Sequence, residues 1–136
     1  MRQYSLALAR ALEEQERFQE ALTEYGKAVE ANPQDAEPLL RRGSLLAELG
    51  QYEAGIADFT AALAIDPYDG SAYNNRGDLH ASLGRHEAAI ADFSQALSLN
   101  DADVDSYYNR GLSLAEQGKL PEALASVSDW VGSKLA

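Results

Sequence analysis

Cysteine is absent from the 136 residues, which excludes disulfide staples and thiol chemistry but does not separate cytosol from periplasm. Basic residues are scarce: 11 Lys and Arg stand against 22 Asp and Glu, a formal charge of −11 that is spread along the chain with no acidic tail. A surface of that sign repels phosphate backbones and anionic lipid, so neither nucleic acid nor a membrane surface is expected as a partner. No apolar run is long enough to suggest a membrane span. Met1 to Glu14 alternate apolar and charged residues at helical spacing and lack the apolar core of a signal peptide, and cytoplasmic residence is the expectation.

What the chain has instead is a period. Gly43, Gly77 and Gly111 are evenly spaced at 34 residues, as are Gly50, Gly84 and Gly118. Pro33 and Pro67 keep the same interval, with Asp101 where a third proline would fall. Four units of that length account for the whole sequence, approximately 2–35, 36–69, 70–103 and 104–136, and they are expected to form a single domain.

Superposed, the units show columns with physical meaning. Ala21, Gly55, Ala89 and Ala123 share one column, Leu22, Ile56, Ile90 and Leu124 the next, and Tyr25, Phe59, Phe93 and Val127 come three further on. A small residue, an aliphatic one and then an aromatic or branched one at these offsets mark the inner stripe of a closely packed helix. The glycines at 50, 84 and 118 precede that stripe, where a turn reversing the chain requires positive φ. Each unit therefore reads as two antiparallel helices: 3–14 with 18–31, 36–48 with 52–65, 70–82 with 86–99, and 104–116 with 120–131. Asn32-Pro33, Asp66-Pro67 and Asn100-Asp101 end the second helices.

These residues carry a family resemblance. The period, the Tyr73 to Gly77 and Tyr107 to Gly111 blocks, the Leu49-Gly50-Gln51-Tyr52 turn, the Ala89-Ile90 pair, the Phe93 column and the Asp66-Pro67 ending together resemble the tetratricopeptide repeat over essentially the whole chain. The departures are Gly55 at a close contact usually held by alanine, Trp130 in the column of Ala28, Ala62 and Ala96, and Arg42, Arg76 and Arg110 in a column often held by leucine. The resemblance implies an all-α, right-handed superhelical solenoid of four antiparallel helix-turn-helix repeats, with function on the concave face lined by the first helix of each.

Catalytic chemistry is nearly absent from the pattern. His80 shares a column with Leu12, Leu46 and Leu114, and His86 with Phe18, Tyr52 and Leu120, so both read as core or turn residues without a second ligand at helical spacing. Asp101, Asp103 and Asp105 lack the glycine and terminal glutamate of a calcium loop and read as helix caps. No catalytic residue, metal or cofactor is expected.

By the resemblance, the inner positions are the second, fifth, sixth and ninth of each unit. They hold Gln3, Leu6, Ala7 and Arg10; Glu37, Leu40, Arg41 and Ser44; Ser71, Asn74, Asn75 and Asp78; and Asp105, Tyr108, Asn109 and Leu112. In the column Ala7, Arg41, Asn75, Asn109, each asparagine amide offers donor and acceptor to the backbone of an extended peptide. This resembles the asparagine ladders of some members of the family. The carboxylate clamp of others, which holds acidic chaperone tails, does not fit: it wants cationic residues where Leu40, Asp105 and Asn109 stand and asparagine where Ser44 stands. Arg10 and Arg41 remain able to anchor one acidic group.

The sequence thus predicts a non-enzymatic interaction module that holds an extended peptide or a partner helix through Arg10, Arg41, Asn74, Asn75, Asp78, Tyr108 and Asn109. The alternatives are a self-associating scaffold, or a fragment of a larger enzyme or assembly factor. In the last helix the apolar stripe of Leu124, Val127, Trp130 and Val131 exceeds what its hairpin partner can cover. A homodimer through this C-terminal repeat, using Val127, Trp130 and Val131, is expected over an ordered monomer.

Overall fold

The computed structural model describes residues 2–135, with side chains from Tyr4 to Gly132. The described residues form helices only: α1 (Arg2–Glu14), α2 (Phe18–Ala31), α3 (Ala36–Glu48), α4 (Tyr52–Ile65), α5 (Gly70–Ser82), α6 (His86–Leu99), α7 (Val104–Glu116) and α8 (Leu120–Leu135). Six of the eight coincide with the ranges read from the periodicity. The last helix runs four residues beyond its expected end at 131, Gly132 continuing it to Leu135.

Turn chemistry explains the hairpins. Gly50, Gly84 and Gly118 adopt φ of 76°, 76° and 75°. The amides of Gln51, Arg85 and Lys119 each reach back five residues, to the carbonyls of Leu46, His80 and Leu114 at 2.9 Å. That is the left-handed helix ending for which glycine is suited. In the first hairpin the same place is held by Glu16 at φ 61°. Between hairpins, Asp35, Asp69 and Asp103 cap α3, α5 and α7, their carboxylates accepting from the amides of Glu37, Ala72 and Ser106.

The chain divides into two compact units, Met1–Pro67 and Tyr68–Ala136. In unit 1, Ala9, Leu12, Ala21, Tyr25 and Leu45 form a buried cluster backed by Leu6, Leu8, Phe18, Leu22 and Leu49. Leu45 belongs to α3, so the second hairpin seals the first. In unit 2, α5 approaches α6 so closely at Gly77 that a Cβ there would stand 2.7 Å from Phe93 Cε1.

The arginine column receives its explanation here. Arg42 donates to both oxygens of Asp58 (2.8 and 2.9 Å) and Arg76 to both of Asp92 (2.8 and 2.7 Å), pinning first helix to second within each hairpin. Both carboxylates are buried, and the hydrogen bonds to them push the guanidinium pKa values up against the opposing effect of burial. Rings stack on the arginine planes as well, Tyr73 lying 5.6 Å from Arg76. In the fourth repeat Ser126 replaces the aspartate, accepting from Arg110 Nε at 3.1 Å and donating to the Tyr107 carbonyl.

Candidate functional site

In unit 1 the inner face of α3, with Glu13 of α1, forms a shallow cavity of about 300 Å³ lined by Glu13, Glu37, Leu40, Arg41 and Ser44. Its one guanidinium is already engaged: Arg41 donates to Glu37 Oε2 from Nε at 3.1 Å, with Nη2 at 3.0 Å from the same oxygen. An acidic ligand would have to displace that carboxylate. Glu13 accepts from the Tyr25 phenol at 2.6 Å, and burial followed by this bond pushes the phenol pKa up. Arg10 is exposed and lines no cavity described for unit 1, and the Gln3 side chain lies outside the described residues.

Unit 2 holds a larger groove of about 430 Å³, formed by α5, α6 and α7 and lined among others by Asp78, Ser82, His86, Asn109, Leu112 and Glu116. Asn74 ties its parent helices together, its Oδ1 accepting from Ser106 Oγ (3.2 Å) and Asn109 Nδ2 (3.4 Å). Asn109 therefore spends a donor on Asn74 and keeps its carbonyl oxygen for a ligand, while Asn75 is exposed to solvent. His86 is oriented by Ser113, Nδ1 to Oγ 3.3 Å.

Tyr108 belongs elsewhere. It lines a third cavity of about 440 Å³ with Val104, Asp105, Tyr107, Val127 and Trp130, in the last hairpin. Val127 is 49% exposed and Val131 42%, whereas Phe93, in the Val127 column, is fully buried. The residues singled out from sequence thus sort into separate places: Arg41 in unit 1, Asp78 and Asn109 together in the unit 2 groove, Tyr108 with Val127 and Trp130 in the last hairpin. His86, Leu112 and Glu116 were not singled out for the groove. Leu112 and His86 carried a signal, since one holds an inner position and the other is a polar substitute in an apolar column. Among the described residues no three His, Asp or Glu are placed to hold a metal ion, and no helix is long and apolar enough to cross a membrane.

Helical hairpins at a 34-residue spacing, each reversed through a left-handed residue and the second and third clasped by the same arginine–aspartate bridge, define a tandem helical-repeat protein. Tetratricopeptide repeat models match residues 6–70 and 59–91, and a TPR repeat model matches residues 77–118. The chain belongs to the tetratricopeptide repeat family. No curated protein matches the sequence. Among solved structures, a MamA protein superposes with a TM-score of 0.92 at 22% identity, covering 98% of this chain and 73% of that one. A tetratricopeptide repeat protein from Parabacteroides merdae gives 0.87 at 24%, covering 98% and 52%. YrrB, described as a TPR protein with an unusual peptide-binding site, gives 0.81 at 23%, covering 94% and 66%. These likenesses establish the fold, and with the family they identify a protein-interaction module in general terms.

Proposed function

We propose that the protein is a non-enzymatic module that holds an extended segment of a partner protein in the groove of unit 2. The observation that carries this is the mixed lining of one cavity: the Asp78 and Glu116 carboxylates, the Asn109 amide, the His86 imidazole and the Leu112 side chain. An extended peptide offers backbone donors and acceptors alternating with side chains, and such a lining answers both. The neighbouring Asn75 adds a second free amide. YrrB lends the peptide class its plausibility, while the chemistry here is argued from this chain alone. In unit 1 the Glu37–Arg41 pair cancels within its cavity and the Glu13 carboxylate leaves it net acidic, a secondary contact suited to a basic rather than an acidic group.

The test is a randomised peptide display screen against the intact chain, followed by titration calorimetry of a selected peptide. Asn109→Ala with Leu112→Ala should weaken binding at least about tenfold, since each removes a contact and tenfold corresponds to only about 1.4 kcal/mol. Wild-type affinity in that variant would overturn the reading.

A further inference from the structure

The groove of unit 2 offers a ligand mainly acceptors, because its donors are spent inside the fold. Asn109 uses an Nδ2 hydrogen on Asn74, and Ser82 Oγ donates to the Asp78 carbonyl at 3.1 Å. His86 Nδ1 and Ser113 Oγ engage each other. What remains is the Asn109 carbonyl oxygen with the carboxylates of Asp78 on α5 and Glu116 on α7. Both carboxylates are exposed, and among the described residues neither carries a hydrogen bond or an ion pair.

The negative charge is uncompensated for a structural reason. Arg76 and Arg110 are the only Lys or Arg residues of α5, α6 and α7. Arg76 is held by Asp92 and Arg110 by Ser126 and Ser94, and neither lines the groove. In unit 1, by contrast, Arg41 is answered by Glu37 of its own helix. The unit 2 groove also has an apolar wall: Leu112 shares a face of α7 with Asn109 and Glu116, and Phe93 of α6 lines the same space.

We infer that the partner segment enters this groove with a basic side chain, arginine or lysine, whose methylene stem lies on Leu112 and whose cationic head meets the Asp78 and Glu116 carboxylates. This rests on the capture of an extended segment proposed above and adds what that segment must carry. Arginine brings five N–H donors and no acceptor, lysine three, which complements an acceptor-rich lining. Both carry their charge on a stem that packs along apolar surface. An acidic segment would set its charge against two carboxylates with no cation to answer it.

The peptides selected by display test this when titrated calorimetrically at about 150 mM salt beside neutral analogues, citrulline for arginine and acetyl-lysine for lysine. The analogue should bind the wild type at least about tenfold more weakly than its parent, and that loss should shrink below about threefold in the variant Asp78→Asn with Glu116→Gln. Both sites are exposed, so folding is retained, and circular dichroism checks it. Selected peptides without arginine or lysine, or an analogue that binds like its parent, would overturn the inference. So would an equal loss in wild type and variant, the signature of attraction to the overall charge of −11. Binding that ignores the basic side chain but still weakens in Asn109→Ala with Leu112→Ala would leave segment capture standing, whereas binding indifferent to both pairs of substitutions would remove both readings.

Discussion

The glycines at equivalent places in the second, third and fourth hairpins should respond to one substitution with opposite signs. A Cβ on Gly77 would meet Phe93 Cε1 at 2.7 Å, Phe93 Cδ1 at 2.9 Å and Asp92 Cβ at 3.1 Å. Carbon atoms prefer roughly 3.5–4.0 Å, so the overlap approaches about 1 Å. Phe93 is fully buried and Asp92 is held by Arg76, so neither can retreat cheaply. Overpacking of that kind costs about 1–3 kcal/mol, while glycine to alanine inside a helix returns about 0.5–1 kcal/mol. Gly77→Ala should therefore destabilise by about 1–2 kcal/mol. At Gly111 the column opposite holds Val127 in place of phenylalanine, and the nearest atom to a new Cβ is the Ala123 carbonyl oxygen at 3.8 Å. Only the propensity gain remains, and Gly111→Ala should stabilise by about 0.5–1 kcal/mol. Gly43, with Phe59 at 3.2 Å, should fall between. Urea unfolding followed by far-UV circular dichroism reads all three. The reasoning fails if Gly77→Ala is as stable as the wild type, or if Gly111→Ala loses stability.

Other outcomes follow from single observations. Glu16→Gly should raise the unfolding midpoint, because Glu16 holds the left-handed turn conformation that glycine holds in the other hairpins, a gain of about 1 kcal/mol. Ser126→Asp should stabilise the last hairpin by about 0.5–1.5 kcal/mol in thermal unfolding, by giving Arg110 a closer carboxylate than that of Asp129, 3.7 Å from its Nη2, less the lost bond to the Tyr107 carbonyl. Asp92→Ala should cost about 2–4 kcal/mol in urea unfolding, since it removes the carboxylate that accepts two bonds from the mostly buried Arg76 guanidinium. The raised Tyr25 pKa means that stability present below the usual value of 10.0 is lost as pH rises through and above it, the unfolded phenol ionising first. Tyr25→Phe should flatten that part of the stability profile.

The helices were legible because every unit repeats the same solution. A turn glycine, a small–aliphatic–aromatic stripe and an Asn or Asp ending recur at one spacing, so noise at one repeat is corrected by the others. The arginine–aspartate bridge was not legible from the arginine column alone. Asp58 and Asp92 stand 34 residues apart in a column of their own, but polar residues on the inner side of a second helix look like solvated ones until the partner 16 residues earlier is placed against them. The groove was legible only in part, for a different reason. Inner positions name which residues face the ligand side of first helices. They do not show that Glu37 neutralises Arg41, that Asn74 takes up a donor of Asn109, or that His86 of a second helix reaches the same cavity.

The fourth repeat shows why a departure from a repeat pattern is best read jointly across columns. Taken one at a time, Val127 for phenylalanine, Trp130 for alanine, Ser126 for aspartate, Tyr108 for asparagine and Leu120 for histidine look like drift. Taken together they move bulk and polarity in a consistent direction. The ring that locks Gly77 against α6 is withdrawn at Gly111, and volume reappears at Trp130 and Tyr108 on the wall of an apolar cavity. Drift would scatter such changes between buried and exposed columns, whereas Tyr108, Val127 and Trp130 gather around one cavity.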